Sequence, residues 1–248
     1  CATSNHAFGD AFKMIQSNLA DVIISGGSEA AITEMSIAGF SNMKALSKNK
    51  NKNSASRPFD KKRDGFVMGE GSGILVLESY EHAIKRNAII LGEIVGYGAT
   101  ADAYHITSPD HNAHGGRKAM LNAISDANLD IEDIKYINTH GTSTPLNDKI
   151  ETKAIKSIFK DKSKDLFINS TKSMTGHLLG ASGAIEAIAT ILSINNNFIH
   201  PTINYKNHDV ECDLNCVPNK GISKNIDYGL SNSFGFGGHN SVIIFKGA

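Results

Sequence analysis

The sequence predicts an α/β fold of the layered kind. Short apolar segments typical of buried strands alternate with longer segments in which apolar residues recur at helical spacing. The chain has 248 residues, of which 40% are hydrophobic, enough for one large domain or two smaller ones. Strands that alternate with helices favour a sheet covered by helices.

The first third of the chain begins with an amphipathic helix. Phe8, Phe12 and Ile15 fall on one stripe of that helix. The other elements predicted here are strands at 22–24, 74–78 and 89–98, a short helix at 80–86 and a polar, solvated loop at 47–56.

The remaining two thirds repeat the alternation. Helices are predicted at about 116–128, 148–159 and 178–194, and strands at 136–138, 167–170, 228–232 and 241–245. Apolar residues surround the 178–194 helix almost completely, which predicts that it is buried.

The charge balance excludes several classes of function. Basic and acidic residues number 25 each, so nothing predicts a general attraction for nucleic acid or anionic membranes. The longest apolar stretch is interrupted by Glu186, which argues against a membrane span. The three cysteines, Cys1, Cys212 and Cys216, do not form a disulfide framework and favour a reducing compartment such as the cytoplasm.

Three polar loops follow predicted strands, where α/β folds often place reactive groups. His140 lies in the first loop (138–145) among glycine and hydroxyl residues. Lys172 and His177 share the second (170–177), just before the buried helix, whose dipole should keep His177 neutral. The third (233–240) contains the glycine-rich turn around Phe236, whose simplest interpretation is a hairpin turn.

Cys1 precedes the first helix, where the helix dipole stabilises a thiolate and makes it nucleophilic. A cysteine, two histidines and a turn with free backbone N–H groups are the parts needed for acyl transfer through a thioester. The cluster of His105, His111 and His114 has no convincing further ligand, so we expect a solvated loop and no metal site.

Six motifs together resemble the β-ketoacyl-acyl-carrier-protein synthases of the elongating type, over essentially the whole chain. They are CATS at 1–4, SRPFDKKRDGFVMGEG at 56–71, DAYHITSP at 102–109, HGTSTP at 140–145, TKSMTGHLLGASGA at 171–184 and NSFGFGGHN at 232–240. The resemblance implies a thiolase-like fold with α-β-α-β-α layers. It also implies decarboxylative condensation of malonyl-ACP with an acyl chain on a cysteine, in fatty acid elongation.

The resemblance also implies roles for individual residues. Cys1 matches the acyl-accepting nucleophile, and Phe236 matches the gating residue whose N–H completes an oxyanion hole. His140 and His177 match the histidines that promote decarboxylation. The remaining matches are Lys172, supporting the second histidine; Glu186, a buried acid; Thr142 and Thr144, near the pantetheine arm; His105 and Thr107, bordering the malonyl site; and Lys44, near the carrier-protein entrance.

The implied partners are an acyl carrier protein and a second copy of the enzyme, with no bound cofactor because the carrier's phosphopantetheine holds the substrates. The implied location is the cytoplasm or the plastid stroma. One charge pattern agrees independently: segment 44–63 contains eight basic residues and one acid. A solvated loop explains this segment as well as a docking surface for an acidic carrier does.

Members of the family have a long region before the nucleophile. We therefore expect an incomplete thiolase-like fold, with residues 1–88 as the tail of the first half and 89–248 as the second half. Apolar surfaces would then be left uncovered, which predicts that this stretch alone is poorly stable and inactive.

Four alternatives remain open. Cys1 could act as an amino-terminal nucleophile of an amidohydrolase, with its α-amino group as base. It could be the first residue of a mature lipoprotein. A condensation-dead partner, similar to chain-length factors, is disfavoured by the presence of Cys1. A thiolase should have a cysteine near the last glycine-rich turn, where this chain has Phe236 and His239.

Overall fold

The computed structural model describes residues 1–248 and contains seven α-helices and nine strands. The helices are α1 (Thr3–Gln16), α2 (Glu34–Asn42), α3 (Tyr80–Lys85), α4 (His114–Asp126), α5 (Pro145–Phe159), α6 (Lys172–Thr175) and α7 (Ser182–Asn195). The strands are β1 (Val22–Glu29), β2 (Gly71–Glu78), β3 (Glu93–Ala101), β4 (Tyr136–Asn138), β5 (Phe167–Asn169), β6 (Phe198–Ile199), β7 (Ile222–Ser223), β8 (Tyr228–Gly235) and β9 (His239–Lys246).

Five strands form the main sheet, in the order β3-β9-β8-β4-β5. The β3–β9 and β9–β8 pairs are antiparallel, whereas β8–β4 and β4–β5 are parallel. Ile137 of β4 lies beside Leu230 of β8 and Ile168 of β5, and all three side chains are fully buried. The short parallel strands β4 and β5 therefore have buried apolar side chains, as apolar strands of this kind require.

Helices cover both faces of this sheet. On one face α4 and α5 contribute Ala119, Met120, Ala154 and Ile155 to the larger of two apolar cores. On the other face α1 and α7 contribute Phe8, Ala184 and Ala187 to the smaller core. Burial of a large apolar side chain contributes roughly 1.5–3 kcal/mol, so these two cores dominate the stability of the fold.

A second, smaller sheet lies on the far side of α1 and α7. Strands β1 and β2 pair in antiparallel register, and both contact α1 and α7. Gly73 of β2 permits this close packing, because a Cβ there would come within 3.0 Å of Ala184. The order of layers is therefore α4/α5, main sheet, α1/α7, small sheet, which confirms the predicted α/β layering.

Most predicted elements are present, with three differences. The strand predicted at 89–98 was placed too early, because β3 begins at Glu93 and Ile89 is 89% exposed. Helix α2 was not predicted; its apolar residues are not buried in this chain. The helix predicted from residue 178 begins at Ser182, after a single 3₁₀ turn at Leu179–Ala181. None of the helices combines the length and the apolar character that crossing a bilayer would require.

Candidate active site

The three polar loops and the start of α1 converge on one cavity of about 510 Å³. Cys1, His140, His177 and Phe236 all line it. The parallel pairing of β4 and β5 explains part of this convergence, because the loops after both strands leave the same edge of the sheet. The hairpin between β8 and β9 brings the third loop to that edge.

Cys1 lies two residues before α1, at the amino-terminal end of the helix. Phe8 and Ala11 anchor α1 in the core, with exposures of 0% and 4%, so the position of Cys1 is determined by buried packing. Gly235 of the third loop packs directly against this end, since a Cβ there would come within 3.3 Å of the Cys1 nitrogen. A larger residue there would press against the cysteine backbone, so glycine favours this close approach.

His140 is 3% exposed and its Nδ1 lies 3.3 Å from the Lys172 ammonium. Burial, and next the positive charge of Lys172, lowers the pKa of His140 well below its ordinary value, so the ring is neutral. An ammonium group can only donate hydrogen bonds, so Nδ1 of His140 must accept and the ring proton must lie on Nε2. His140 is therefore a neutral donor in the cavity.

His177 reaches the same state through different neighbours. Its Nδ1 accepts from the Leu179 N–H at 3.2 Å and lies 2.8 Å from the Ser182 hydroxyl. Burial, followed by the charge of Lys172, lowers the pKa of His177 well below its ordinary value. The prediction that His177 is neutral is confirmed, but burial is the main cause. The rings of His140 and His177 meet edge to face, with centroids 5.4 Å apart.

Lys172 and Glu186 form an ion pair in which both side chains are at most 2% exposed. Burial raises the pKa of Glu186 to about 7, against the opposing attraction of Lys172. The resemblance implied that Lys172 supports the second histidine, His177. The structure instead places its ammonium against His140, because α6 carries Lys172 beneath the first loop. The lysine still lowers the pKa of both histidines.

Sequence reasoning missed Glu151, which orients the His140 loop. The Glu151 carboxylate accepts hydrogen bonds from the backbone N–H groups of His140 and Gly141, both at 2.8 Å, and from the Asn232 amide at 2.9 Å. Burial raises its pKa. The available signal was an acidic residue on the apolar face of α5, next to Ile150 and one turn before Ile155.

The turn at 235–238 connects β8 to β9 as a hairpin, which confirms the simplest interpretation of its glycines. Gly237 and Gly238 have φ of 85° and 78°, a region that side chains other than glycine rarely adopt. Phe236 is 39% exposed, and its N–H has no acceptor within the protein. That N–H is therefore free to donate to a ligand beside Cys1.

The other predicted residues lie around the mouth of the cavity. Thr142, Thr144, Thr107 and Lys44 line it, and the Thr142 and Thr144 hydroxyls are 2.9 Å apart. His105 does not line the cavity; its Nδ1 accepts from the Thr107 and Ser108 N–H groups, both at 3.1 Å, and so shapes the loop.

Cys1, two neutral histidine donors and a free turn N–H around one cavity are the parts of a thioester condensing site. Sequence comparison gives the same class. Residues 1–83 match the family model described as "Beta-ketoacyl synthase, N-terminal domain". Residues 91–206 match the model described as "Beta-ketoacyl synthase, C-terminal domain". The chain belongs to the β-ketoacyl synthase family.

Among curated proteins, the chain is 55% identical over 246 residues to 3-oxoacyl-[acyl-carrier-protein] synthase 2 of Staphylococcus aureus, covering 99% of this chain and 61% of that protein. It is 53% identical to the synthase 2 of a Synechocystis strain, covering 99% of this chain and 59% of that protein. The chain therefore spans about three fifths of the length of these relatives.

Solved structures agree on the fold. A type II polyketide ketosynthase in complex with its acyl-carrier protein and bound to a hexaketide superposes with a TM-score of 0.98 at 42% identity, covering 100% of this chain and 61% of that one. A β-ketoacyl synthase from Burkholderia phymatum gives 0.93 at 39% identity, covering 100% of this chain and 60% of that one. The fold is that of the thiolase-like ketosynthases.

Proposed function

We propose that the protein containing this chain condenses an acyl group held on Cys1 with a malonyl group held on acyl carrier protein. The observation that carries the proposal is the pair of buried, neutral histidines, His140 and His177, beside Cys1 in one cavity. The names of its curated relatives, both 3-oxoacyl-[acyl-carrier-protein] synthases, support the same activity.

In the first half-reaction the Cys1 thiolate attacks the acyl thioester on the carrier. The tetrahedral intermediate collapses with release of the carrier's thiolate, and the acyl group remains on Cys1. The Cys1 and Phe236 N–H groups donate to the oxyanion, since Gly235 holds the turn against Cys1. An oxyanion donor of this kind contributes roughly 10²–10³-fold to the rate.

In the second half-reaction malonyl thioester loses carbon dioxide and becomes an enolate. Two Nε2–H donors, from His140 and His177, stabilise the negative charge on its thioester oxygen without taking up a proton. The enolate carbon then attacks the Cys1 thioester, the thiolate leaves, and the product is a 3-oxoacyl chain two carbons longer on the carrier.

Lys172, Glu186 and Glu151 act through the histidines in this proposal. Lys172 occupies Nδ1 of His140 and keeps the ring proton on Nε2, and Glu186 holds Lys172 in place. Glu151 fixes the backbone on which His140 lies. Thr142 and Thr144 offer hydroxyls to the pantetheine arm, and His105 and Thr107 shape the border of the malonyl site.

Acyl carrier protein is the proposed partner. Lys44 lies on the rim of the cavity, and the basic segment 44–63 carries Lys48, Lys50 and Lys52 on exposed backbone. Their charge favours an acidic partner and would raise its association rate. The solved complex of a related ketosynthase with its carrier protein supports this choice.

We also propose a division of the chain at residues 88 and 89, with 1–88 and 89–248 as parts of two thiolase-like halves. The small sheet belongs to the first part and the main sheet to the second.

Residues 1–248 by themselves are proposed to be inactive, and the working enzyme is proposed to be a homodimer. Ile24, Ile74 and Val76 support both points, because they are more than half exposed on the outer face of the small sheet. Three free thiols favour action in the cytoplasm or the plastid stroma.

Covalent trapping tests the nucleophile. In the intact enzyme, cerulenin or an acyl-ACP should label Cys1, and the label should disappear in Cys1→Ala. Labelling that persists in Cys1→Ala would refute the assignment.

Malonyl decarboxylation tests the histidines separately. We expect His140→Ala and His177→Ala each to lower the rate of carbon dioxide release by roughly 10²-fold or more, because each removes one enolate donor. His208→Ala, at an exposed histidine outside the cavity lining, is the matched control because it removes the same ring. Unchanged decarboxylation in both histidine variants would exclude the proposed mechanism.

A further inference from the structure

A second pair of histidines, His6 and His239, lies beside helix α1 and does not line the cavity. His6 projects from α1 and His239 is the first residue of β9. Their rings meet edge to face, with centroids 5.7 Å apart and an interplanar angle of 81°. The pair therefore joins the helix that carries Cys1 to the strand that ends the Phe236 turn.

The His6 ring is held in place from the other side by Tyr97 of β3. The Nδ1 atom of His6 is 2.9 Å from the Tyr97 hydroxyl. Tyr97 in turn fills the space left by the missing side chain of Gly9, where a Cβ would come 2.2 Å from the phenol ring. The orientation of His6 is thus determined by packed neighbours.

The other nitrogen of His6 has an unusual environment. Nε2 is buried and has no hydrogen-bond partner. An unsatisfied buried polar atom costs roughly 1–3 kcal/mol. Such an atom needs an explanation, and a role at the neighbouring site is one that the geometry offers.

His239 is directly coupled to the turn. It pairs with Gly235 at the end of the hairpin, and a Cβ on Gly237 would lie 3.2 Å from its ring. On the opposite side the turn is held by hydrogen bonds from Gly237 N–H to Ile106 O at 2.7 Å and from Asp102 N–H to Gly238 O at 2.9 Å. The contact between His6 and His239 thus ties the turn to α1.

We propose that His6 and His239 are positioning residues that hold the 235–238 turn in register with α1, and so align the Phe236 N–H with an acyl carbonyl on Cys1. The inference rests on the proposed condensing function, because it assigns the pair to the oxyanion hole of that reaction. Neither histidine touches the reacting atoms.

Two reactions of Cys1 distinguish a misaligned Phe236 N–H from a general disturbance of the structure around Cys1. Acyl transfer from a thioester forms an oxyanion, whereas alkylation by iodoacetamide does not. We expect His6→Asn and His239→Asn to lower the rate constant of acyl transfer roughly 10- to 100-fold, with KM changed less than about twofold, since a small misplacement of an oxyanion donor has this effect. Alkylation of Cys1 should proceed at the wild-type rate.

Two further variants refine the test. Tyr97→Phe keeps the ring and removes the hydroxyl that contacts His6, so we expect a fall of roughly threefold in acyl transfer. The double variant of His6 and His239 should be no slower than the slower single variant, because the two rings act as a unit. His208→Asn is the matched control: its Nδ1 lies 3.2 Å from the Tyr205 hydroxyl at an exposed position, and it should have no effect.

The outcomes are distinguishable. If the variants lower the rates of alkylation and of acyl transfer to the same extent, the two histidines only maintain the structure around Cys1. That result would overturn the proposal. Wild-type acyl transfer in both single variants would overturn it as well. An intact wild-type enzyme whose Cys1 accepts no acyl group would overturn the proposed function and this inference with it.

Discussion

The main sheet and the small sheet differ in how their faces are covered. The main sheet has helices on both sides, and Ile137 of its interior strand β4 is 0% exposed. The small sheet packs against α1, α7 and the 3₁₀ turn at Leu179–Ala181, and Ile24 on its outer face is 73% exposed. Helix α1, which carries the nucleophile, lies between the two sheets. The histidine loops therefore depend on the well-covered sheet, whereas Cys1 depends on both.

The largest effect is expected from breaking the buried ion pair on the well-covered side. Lys172→Ala leaves Glu186 uncompensated in a buried site, which typically destabilises a protein by about 3–5 kcal/mol. Chemical denaturation measures the loss, and condensation should fall below detection.

A double variant separates stability from activity. Lys172→Met combined with Glu186→Gln removes both charges and should regain most of the stability, since no buried charge is left alone. Activity should stay absent because His140 has lost its Nδ1 donor. Recovered activity in the double variant would contradict the role of Lys172.

Core truncation compares the two sheets directly. Ile137→Ala should lower the free energy of unfolding by about 2–5 kcal/mol, because it leaves a cavity in a packed core. Ile24→Ala in the small sheet should change it by no more than about 0.5 kcal/mol in residues 1–248. A cost at Ile24 equal to that at Ile137 would mean that the outer face of the small sheet is covered in solution.

Acidification should lower the stability of the fold through His200, which packs near the main sheet. Its Nε2 lies 3.0 Å from the Thr171 hydroxyl next to Lys172, and burial lowers its pKa to about 4 from the ordinary 6.5. The neutral ring is favoured in the fold, so its stabilisation is present above pH 6.5 and is lost as the pH falls from 6.5 towards 4. The full effect is up to about 3 kcal/mol.

Unfolding experiments at several pH values measure this contribution. Between pH 6.5 and 4, His200→Gln should lose up to about 3 kcal/mol less stability than the wild type does. His208→Gln is the control, because His208 is an exposed histidine with no carboxylate partner. Equal pH profiles for the wild type and His200→Gln would exclude the assignment.

The smallest effect is expected at the surface pair between Lys13 of α1 and Asp126 of α4. The two charges are 2.5 Å apart, but the Lys13 side chain is 40% exposed. Lys13→Met should cost no more than about 1 kcal/mol, and added salt should reduce the difference. Lys149→Met, which breaks an exposed pair with Glu211, should behave alike; a much larger effect of Lys13→Met would mean that the contact holds α1 in place.

Much of the site was predictable because its residues lie in local patterns. His140, Lys172 and His177 each follow a short apolar strand, and β4 and β5 are present where the pattern placed them. The contact of Lys172 with His140 was not predictable from spacing, since 32 residues separate them and only the packing of α6 brings them together. Glu151 was missed because a charge on an apolar helical face does not specify its partner.

The sequence by itself determined the alternation of strands and helices, the three polar loops and the identity of the reactive groups. These features depend on local propensity and on apolar periodicity, which are properties of short segments. Only the tertiary structure decided that the loops share one cavity, that both histidines are neutral donors, and that His6 meets His239. Those outcomes depend on burial and on contacts between segments distant in the chain, which no local pattern specifies.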